Sequence, residues 1–104
     1  YKSVATCSGL SAIITALTAF AGAGDHILLP DNCYGPGRKS CDETLKKFGV
    51  DVEYYPPMIG ADIEKLFRKN TKLVYMEAPG SLTFEVQDVG AITATAKEAG
   101  IKTA

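Results

Sequence analysis

Residues 26–40 read HILLPDNCYGPGRKS: a short apolar run, a turn rich in Gly and Pro, and then the approach to a charged segment, DETLKKFGV at 42–50. A continuous apolar run of this length has the pattern of a strand buried on both faces in a parallel sheet. Strand, glycine turn and helix in this order leave one question open: the turn either wraps a nucleotide phosphate or presents Tyr34 to something else. A phosphate loop needs a glycine five positions before the glycine of its GK[ST] ending. Here Asn32 stands five before Gly37, and Arg38 separates Gly37 from Lys39. The spacing therefore defeats the phosphate-loop reading.

Upstream of the strand, from Gly9 to Ala21, apolar side chains occupy positions 10, 13, 14, 17, 20 and 21, with Ala at 12, 16 and 19. Nearly the whole circumference of such a helix is apolar, so it needs cover on more than one side. Ser8 is placed to cap it, and Gly22 and Gly24 to stop it. The glycines of GAGD, 22–25, do not make a dinucleotide-binding turn, which must follow a strand and open a helix; these follow a helix.

Downstream, the pattern predicts a helix over 37–48 ended by Gly49, and a strand over 50–56 closed by Pro56 and Pro57. A helix over 61–69, a strand at 72–77 (KLVYME), a loop over 78–87 and a helix over 89–99 follow, and IKTA turns into one more strand. Strands alternating with helices in this way predict an α/β fold, a mostly parallel sheet with right-handed crossover helices. The first helix has more apolar surface than three short strands can cover. Residues 1–104 are therefore read as an incomplete fragment of a larger domain, without a complete second domain.

Composition narrows the function. The chain has 104 residues, 46% of them hydrophobic and 22% charged, as in an ordinary globular domain. Eleven Lys and Arg against twelve Asp and Glu leave a net charge of -1 and no basic run to follow a nucleic-acid backbone or an anionic membrane. The longest apolar stretch, 10–24, is interrupted by Ser11, Thr15 and Thr18 and falls short of the roughly 20 apolar residues a bilayer span needs. Cys7, Cys33 and Cys41 have neither metal-ligand nor disulfide-framework spacing, and read as three free thiols in a reducing cytoplasm.

An anion site is suggested by ATCSGLSAI, 5–13. Ser8, Gly9 and Leu10 open the apolar helix, where unpaired backbone N–H groups and the positive end of the dipole favour a phosphate. Local pattern alone favours a capped core helix that binds nothing, since most helix N-termini bind nothing.

Three segments taken together, TCSGLSAI, PDNCYGPGRK and YMEAPGSLTFEVQDV, resemble the large domain of the transsulfuration group, the fold-type-I pyridoxal-phosphate enzymes of cysteine and methionine metabolism. Within that group they are most similar to bacterial cystathionine β-lyases, which share a YGP-type turn and an ESPGS-type loop followed by EVxD. The resemblance covers essentially the whole chain and about a quarter of such an enzyme. It implies that the backbone N–H groups of Gly9 and Leu10 bind the phosphate of pyridoxal 5'-phosphate, and that Tyr34 lies over the pyridine ring, where an aromatic face holds the ring flat. It places Ser81 near the substrate, and Glu77 as a structural acid close by. Arg38 and Lys39, in the first turn of a helix, are read as facing solvent.

The same resemblance implies a parent enzyme that cleaves L-cystathionine to homocysteine, pyruvate and ammonia, a homotetramer built as a dimer of dimers. The lysine that carries the cofactor, the Asp at the pyridine nitrogen and the Arg for the substrate carboxylate belong to later parts of the family's chain. None of the lysines here has the Ser/Thr-rich context of the cofactor lysine, so no catalytic residue is assigned within 1–104. This piece alone is expected neither to be active nor to fold stably. A γ-synthase or γ-lyase of the same group, and a non-catalytic α/β binding module, stand as alternative readings.

Overall fold

The computed structural model describes residues 2–104. Four strands, β1 (His26–Pro30), β2 (Asp51–Tyr55), β3 (Thr71–Val74) and β4 (Lys102–Thr103), form one parallel sheet in the order β2-β1-β3-β4. β1 is central and all five of its residues are buried. Its register sets Ile27 opposite Val52 on one side and opposite Leu73 on the other. The continuous apolar run is thus explained: with layers on both faces, neither parity of the strand meets water.

The period-two alternation of the strands divides the core. Ile27, Leu29, Val52 and Leu73 point to one face, where they pack with Leu17, Cys33, Cys41 and Leu45. That layer comes from α1 (Gly9–Phe20) and from α2 (Gly35–Ser40), which continues through a π-helical turn, Cys41–Leu45, and a 3₁₀ turn, Lys46–Phe48. Leu28, Tyr55 and Val74 point the other way, onto Ile63 of a 3₁₀ helix (Gly60–Leu66) and onto Ile92 and Ala96 of α3 (Val89–Glu98). Each fully buried Ile or Leu contributes about 1.5–3 kcal/mol relative to exposure.

Local signals mark the helix ends. Ser8 caps α1, its side chain accepting from Ser11 N–H at 3.1 Å, and Asp88 caps α3 by accepting from Ala91 N–H at 2.9 Å. Gly49, at φ 81°, ends the second helical segment in the left-handed region, and a Cβ there would press on Ala23. Pro36 at the head of α2 starts that helix at Gly35, two residues before the predicted 37, since proline is pre-set for a first turn.

Two elements differ from the sequence pattern. The helix predicted over 61–69 is a 3₁₀ helix that stops at Leu66, because Arg68 and Thr71 are used otherwise. Arg68 N–H donates to Thr71 Oγ1 at 2.7 Å and Thr71 N–H returns to Arg68 O at 3.0 Å, which closes a reverse turn. The strand predicted over 72–77 spans Thr71–Val74, although Tyr75 and Met76 N–H still donate across the sheet, to Leu28 O and Ala104 O. Beyond them Pro79 has no N–H to give to a ladder.

The turn at Arg68 completes a polar cluster at the amino edge of the sheet. His26 is fully buried; its Nδ1 lies 2.8 Å from Thr71 Oγ1 and its Nε2 lies 3.2 Å from Glu53 Oε2. The Arg68 guanidinium bonds both Asp51 and Glu53. Since Thr71 Oγ1 already accepts from Arg68 N–H, its own proton can go to His26 Nδ1, which suits a neutral imidazole protonated at Nε2. Burial lowers the His26 pKa from 6.5, and the Arg68 charge adds to that; Asp51 and Glu53 oppose it.

α1 matches its predicted bounds closely but not its predicted cover. Of its side chains only Leu17 is buried, while Ile13 and Ile14 are partly buried and Phe20 is exposed. One side of the apolar helix lies on the sheet; among the described residues nothing covers the rest. No helix among the described residues is long and apolar enough to cross a membrane.

Candidate functional site

In the order β2-β1-β3-β4, β1 leads to β2 on one side and β3 leads to β4 on the other. The connections leaving the carboxyl ends of β1 and β3 therefore diverge, and such a switch point leaves a crevice where open α/β sheets bind ligands. The turn 31–34 and the loop 77–87 border this crevice. α1 precedes a parallel strand, so its N-terminus lies at the same edge.

Tyr34 ends the turn and is 43% exposed. Its backbone N–H donates to Glu77 Oε2 at 3.1 Å, and the Tyr75 hydroxyl donates to the same oxygen at 3.3 Å. Glu77 thus anchors the backbone beneath the tyrosine, the structural part expected of it. Burial, with the Glu77 carboxylate adjacent, raises the Tyr75 pKa and keeps that hydroxyl a donor. A second chain of bonds backs this one. Tyr55 hydroxyl lies 2.8 Å from Gln87 Oε1, and Gln87 Nε2 donates to Glu77 O at 2.9 Å.

Ser81 is half-buried and joined to the same turn, its N–H donating to Asn32 O at 2.9 Å. Asn32 Nδ2 donates to Thr83 Oγ1 at 3.0 Å and to Glu85 Oε2 at 2.9 Å. Gly80 lies flat against this amide: a Cβ at position 80 would overlap Asn32 Nδ2 and Cγ. Tyr34 and Glu77 are therefore joined by a direct bond, and Ser81 is tied to the same turn through Asn32. Gly9 and Leu10 join them less directly, through α1: Ile13, one turn further on, packs where a Cβ on Gly37 would stand, at 3.7 Å.

The donor set at the head of α1 has the chemistry of an anion site. Ser8 O receives Ala12 N–H and Ser8 Oγ receives Ser11 N–H, and among the described residues no acceptor takes the N–H of Gly9 or Leu10. Apart from its chain neighbours and its own helix backbone, no described atom lies within 4 Å of where a Cβ on Gly9 would stand, so the approach to these amides is open on that side. A phosphate bound there would meet two free donors and the positive end of a 12-residue helix. With Tyr34 half-exposed and its backbone fixed, the residues present fit a phosphorylated aromatic ring.

Several functional-looking groups take other parts. Cys33 and Cys41 are buried free thiols, and burial pushes both up to about 11, so they stay protonated and unreactive; Cys7 is free and exposed. Lys39 is exposed as expected, but Arg38 is a correction. Its guanidinium bonds Asp31 Oδ1 at 2.7 Å and lies 3.8 Å from the Tyr54 ring centroid. It pins the head of α2 to the sheet. Asn32 and Gly80, which couple the two loops, carry no sequence signal beyond an ordinary turn composition.

Comparison with known proteins supplies the kinship. A protein of Saccharomyces cerevisiae provisionally named cystathionine beta-lyase is 53% identical over 100 residues, covering 96% of this chain and 29% of its own length. The cystathionine beta-lyase of Escherichia coli is 43% identical over 89 residues, covering 86% of this chain and 22% of its own. The chain thus spans under a third of the length of these relatives. The crystal structure of cystathionine gamma-lyase from Lactobacillus plantarum, complexed with L-serine, superposes with a TM-score of 0.86 at 29% identity, over 92% of this chain and 25% of that one. Its likeness places the sheet and helices among fold-type-I pyridoxal-phosphate lyases. The family model described as Cys/Met metabolism PLP-dependent enzyme matches residues 1–104, and the chain belongs to that family.

Proposed function

We propose that this chain forms part of the cofactor-binding domain of a pyridoxal-phosphate C–S lyase that cleaves L-cystathionine to homocysteine, pyruvate and ammonia. The observation that carries the reading is the convergence at one sheet edge of the two free amides of α1, the half-exposed Tyr34 ring and the Ser81 loop. High identity to relatives bearing the β-lyase name favours the β-elimination.

In this reading Gly9 and Leu10 N–H hold the phosphate, Tyr34 stacks on the ring and Ser81 faces the substrate. The cofactor, when bound, supplies an electron sink for the negative charge that develops at the substrate Cα. This chain's own work is to bind and orient. Two amides fix one end of the cofactor, and an aromatic face fixes its plane. Glu77 keeps Tyr34 in place by accepting its backbone N–H. The proton-transferring lysine, the acid at the pyridine nitrogen and the arginine for the substrate carboxylate come from outside residues 1–104, and the full-length protein works as a cytoplasmic homotetramer.

A γ-elimination is the second reading, favoured by the likeness to the gamma-lyase structure. Assay of the full-length protein with L-cystathionine separates the two by the keto acid released. Pyruvate is expected; 2-oxobutyrate as the main product overturns the β-lyase.

A further inference from the structure

We propose that Asn32 is a positioning residue, the clamp that fixes the Ser81 loop against the carboxyl end of β1 and so sets where Ser81 stands beside Tyr34. The inference rests on the reading above that Ser81 faces the substrate.

The loop 81–86 is not held by the hydrophobic effect. Leu82 is 89% exposed and Phe84 76%, and Val86 is exposed as well. Nor is its backbone at ease, since Leu82 and Phe84 lie at φ 65° and 59°, in the left-handed region that side chains with a Cβ avoid. Such a conformation persists only where surrounding bonds over-determine it. Two bonds close the loop on itself: Gly80 N–H donates to Glu85 O at 2.8 Å and Phe84 N–H to Gly80 O at 3.1 Å.

Every hydrogen bond from 80–86 to the rest of the protein, among the described residues, ends on Asn32. Ser81 N–H donates to its carbonyl, and its side-chain amide donates to Thr83 and to Glu85. The loop is a closed unit pinned at one residue, and that residue is two positions from Tyr34.

The orientation of the amide supports a positional role. Asn32 is only 9% exposed, and its Oδ1 is buried without a partner. Both Nδ2 protons are committed to the loop; turning the amide over would set Oδ1 against the Glu85 carboxylate. A buried acceptor left unpaired weakens the fold, so a residue chosen for stability alone would not be this one. Gly80 completes the device, because only a residue without Cβ lets the amide lie across it.

The test reverses the donor and acceptor in the full-length enzyme loaded with pyridoxal phosphate. Asn32→Asp removes the donors and faces Glu85 with a like charge. KM for L-cystathionine should rise about tenfold with kcat within about threefold. In the cofactor-free protein, chymotrypsin should cleave after Leu82 or Phe84 about tenfold faster. Adding Glu85→Gln restores a donor–acceptor pair with the roles exchanged, and both readouts should return to within about threefold of the parent.

Failure of the double variant to recover, or unchanged cleavage in Asn32→Asp, overturns the clamp. Should Asn32→Asp not fold, Thr83→Val with Glu85→Ala removes both accepted bonds from exposed positions, and the same acceleration is expected. Ser81→Ala separates the two ideas. An unchanged KM there, with faster cleavage in Asn32→Asp, sinks the substrate reading of Ser81 alone, whereas a raised KM with unchanged cleavage in Asn32→Asp sinks the clamp alone.

Discussion

At the amino edge of the sheet His26 is fully buried, yet both ring nitrogens are engaged, by Thr71 and by Glu53, and Arg68 ties Glu53 to Asp51. The carboxyl edge, one strand length or about 16 Å away, is left incomplete. Two helix amides have no acceptor among the described residues, Tyr34 is half in solvent, and Asn32 Oδ1 is buried and unpaired. The same three strands, β1, β2 and β3, supply both edges, so the contrast does not come from fold or composition. At one end the polar groups satisfy each other; at the other they have no partner among the described residues. Natural sequences relax local consistency at sites of function, and among the described residues the buried side-chain acceptor without a partner lies at the carboxyl edge.

The sharpest way to break this comparison is to damage each edge and ask which property falls. His26→Ala in the full-length protein removes a buried ring and takes one bond each from Thr71 and Glu53, both of which keep their bonds to Arg68. A loss of about 2–4 kcal/mol is expected, from the cavity and the two lost hydrogen bonds together. It should show as a lower melting temperature with cofactor affinity unchanged. If His26→Ala instead left the melting temperature alone and weakened the cofactor, the division of labour between the edges would be wrong.

Tyr34→Ala is the converse and the smaller effect. The ring is half-exposed, so little packing is lost and the melting temperature of the cofactor-free protein should hardly move. Loss of the stacking face should weaken pyridoxal-phosphate binding about fivefold to tenfold, roughly 1 kcal/mol, read by the cofactor's absorbance on titration. Tyr34→Phe should keep most of the affinity, because the face is retained and only the hydroxyl lost. A Tyr34→Ala protein that binds cofactor normally would mean that the ring merely packs at the mouth of the crevice.

The two edges also differ in how far the sequence discloses them. β1 is legible because burial on both faces leaves nothing but apolar residues in HILLP, and α1 is legible because Ser8 and Gly22 bracket an apolar run. The early stop at Leu66 is not, since it depends on Arg68 reaching Asp51 and Glu53 on another strand; helix periodicity within 61–69 contains no trace of those partners. Arg38 misleads for the same reason: in sequence it is a first-turn cation, and only the fold brings Tyr54 beneath it. At the carboxyl edge, Gly9, Leu10, Tyr34 and Ser81 stand out through the resemblance of three segments to a family, while their local patterns fit ordinary caps and turns. Asn32 escapes both routes, because its importance lies in three bonds to residues about fifty positions away.

The smallest expected effect, and the one that most sharpens the amino edge, is its response to acid. Burial holds the His26 pKa below its ordinary 6.5, with Arg68 acting in the same direction and Asp51 and Glu53 against it. Below 6.5 the unfolded chain takes up a proton that the folded chain resists, so the unfolded state binds more protons and stability falls with falling pH. The fall levels off once pH passes under the folded-state value, where both states are protonated. Melting temperatures at about pH 7.5 and about pH 5.5 should therefore differ more in the parent protein than in His26→Ala, which starts lower but has no imidazole to charge. Equal differences would mean that the acid sensitivity comes from elsewhere, and that Glu53 accepts a protonated His26 without strain. The amino edge would then be an ion-pair network open to protonation, rather than the closed end of the sheet.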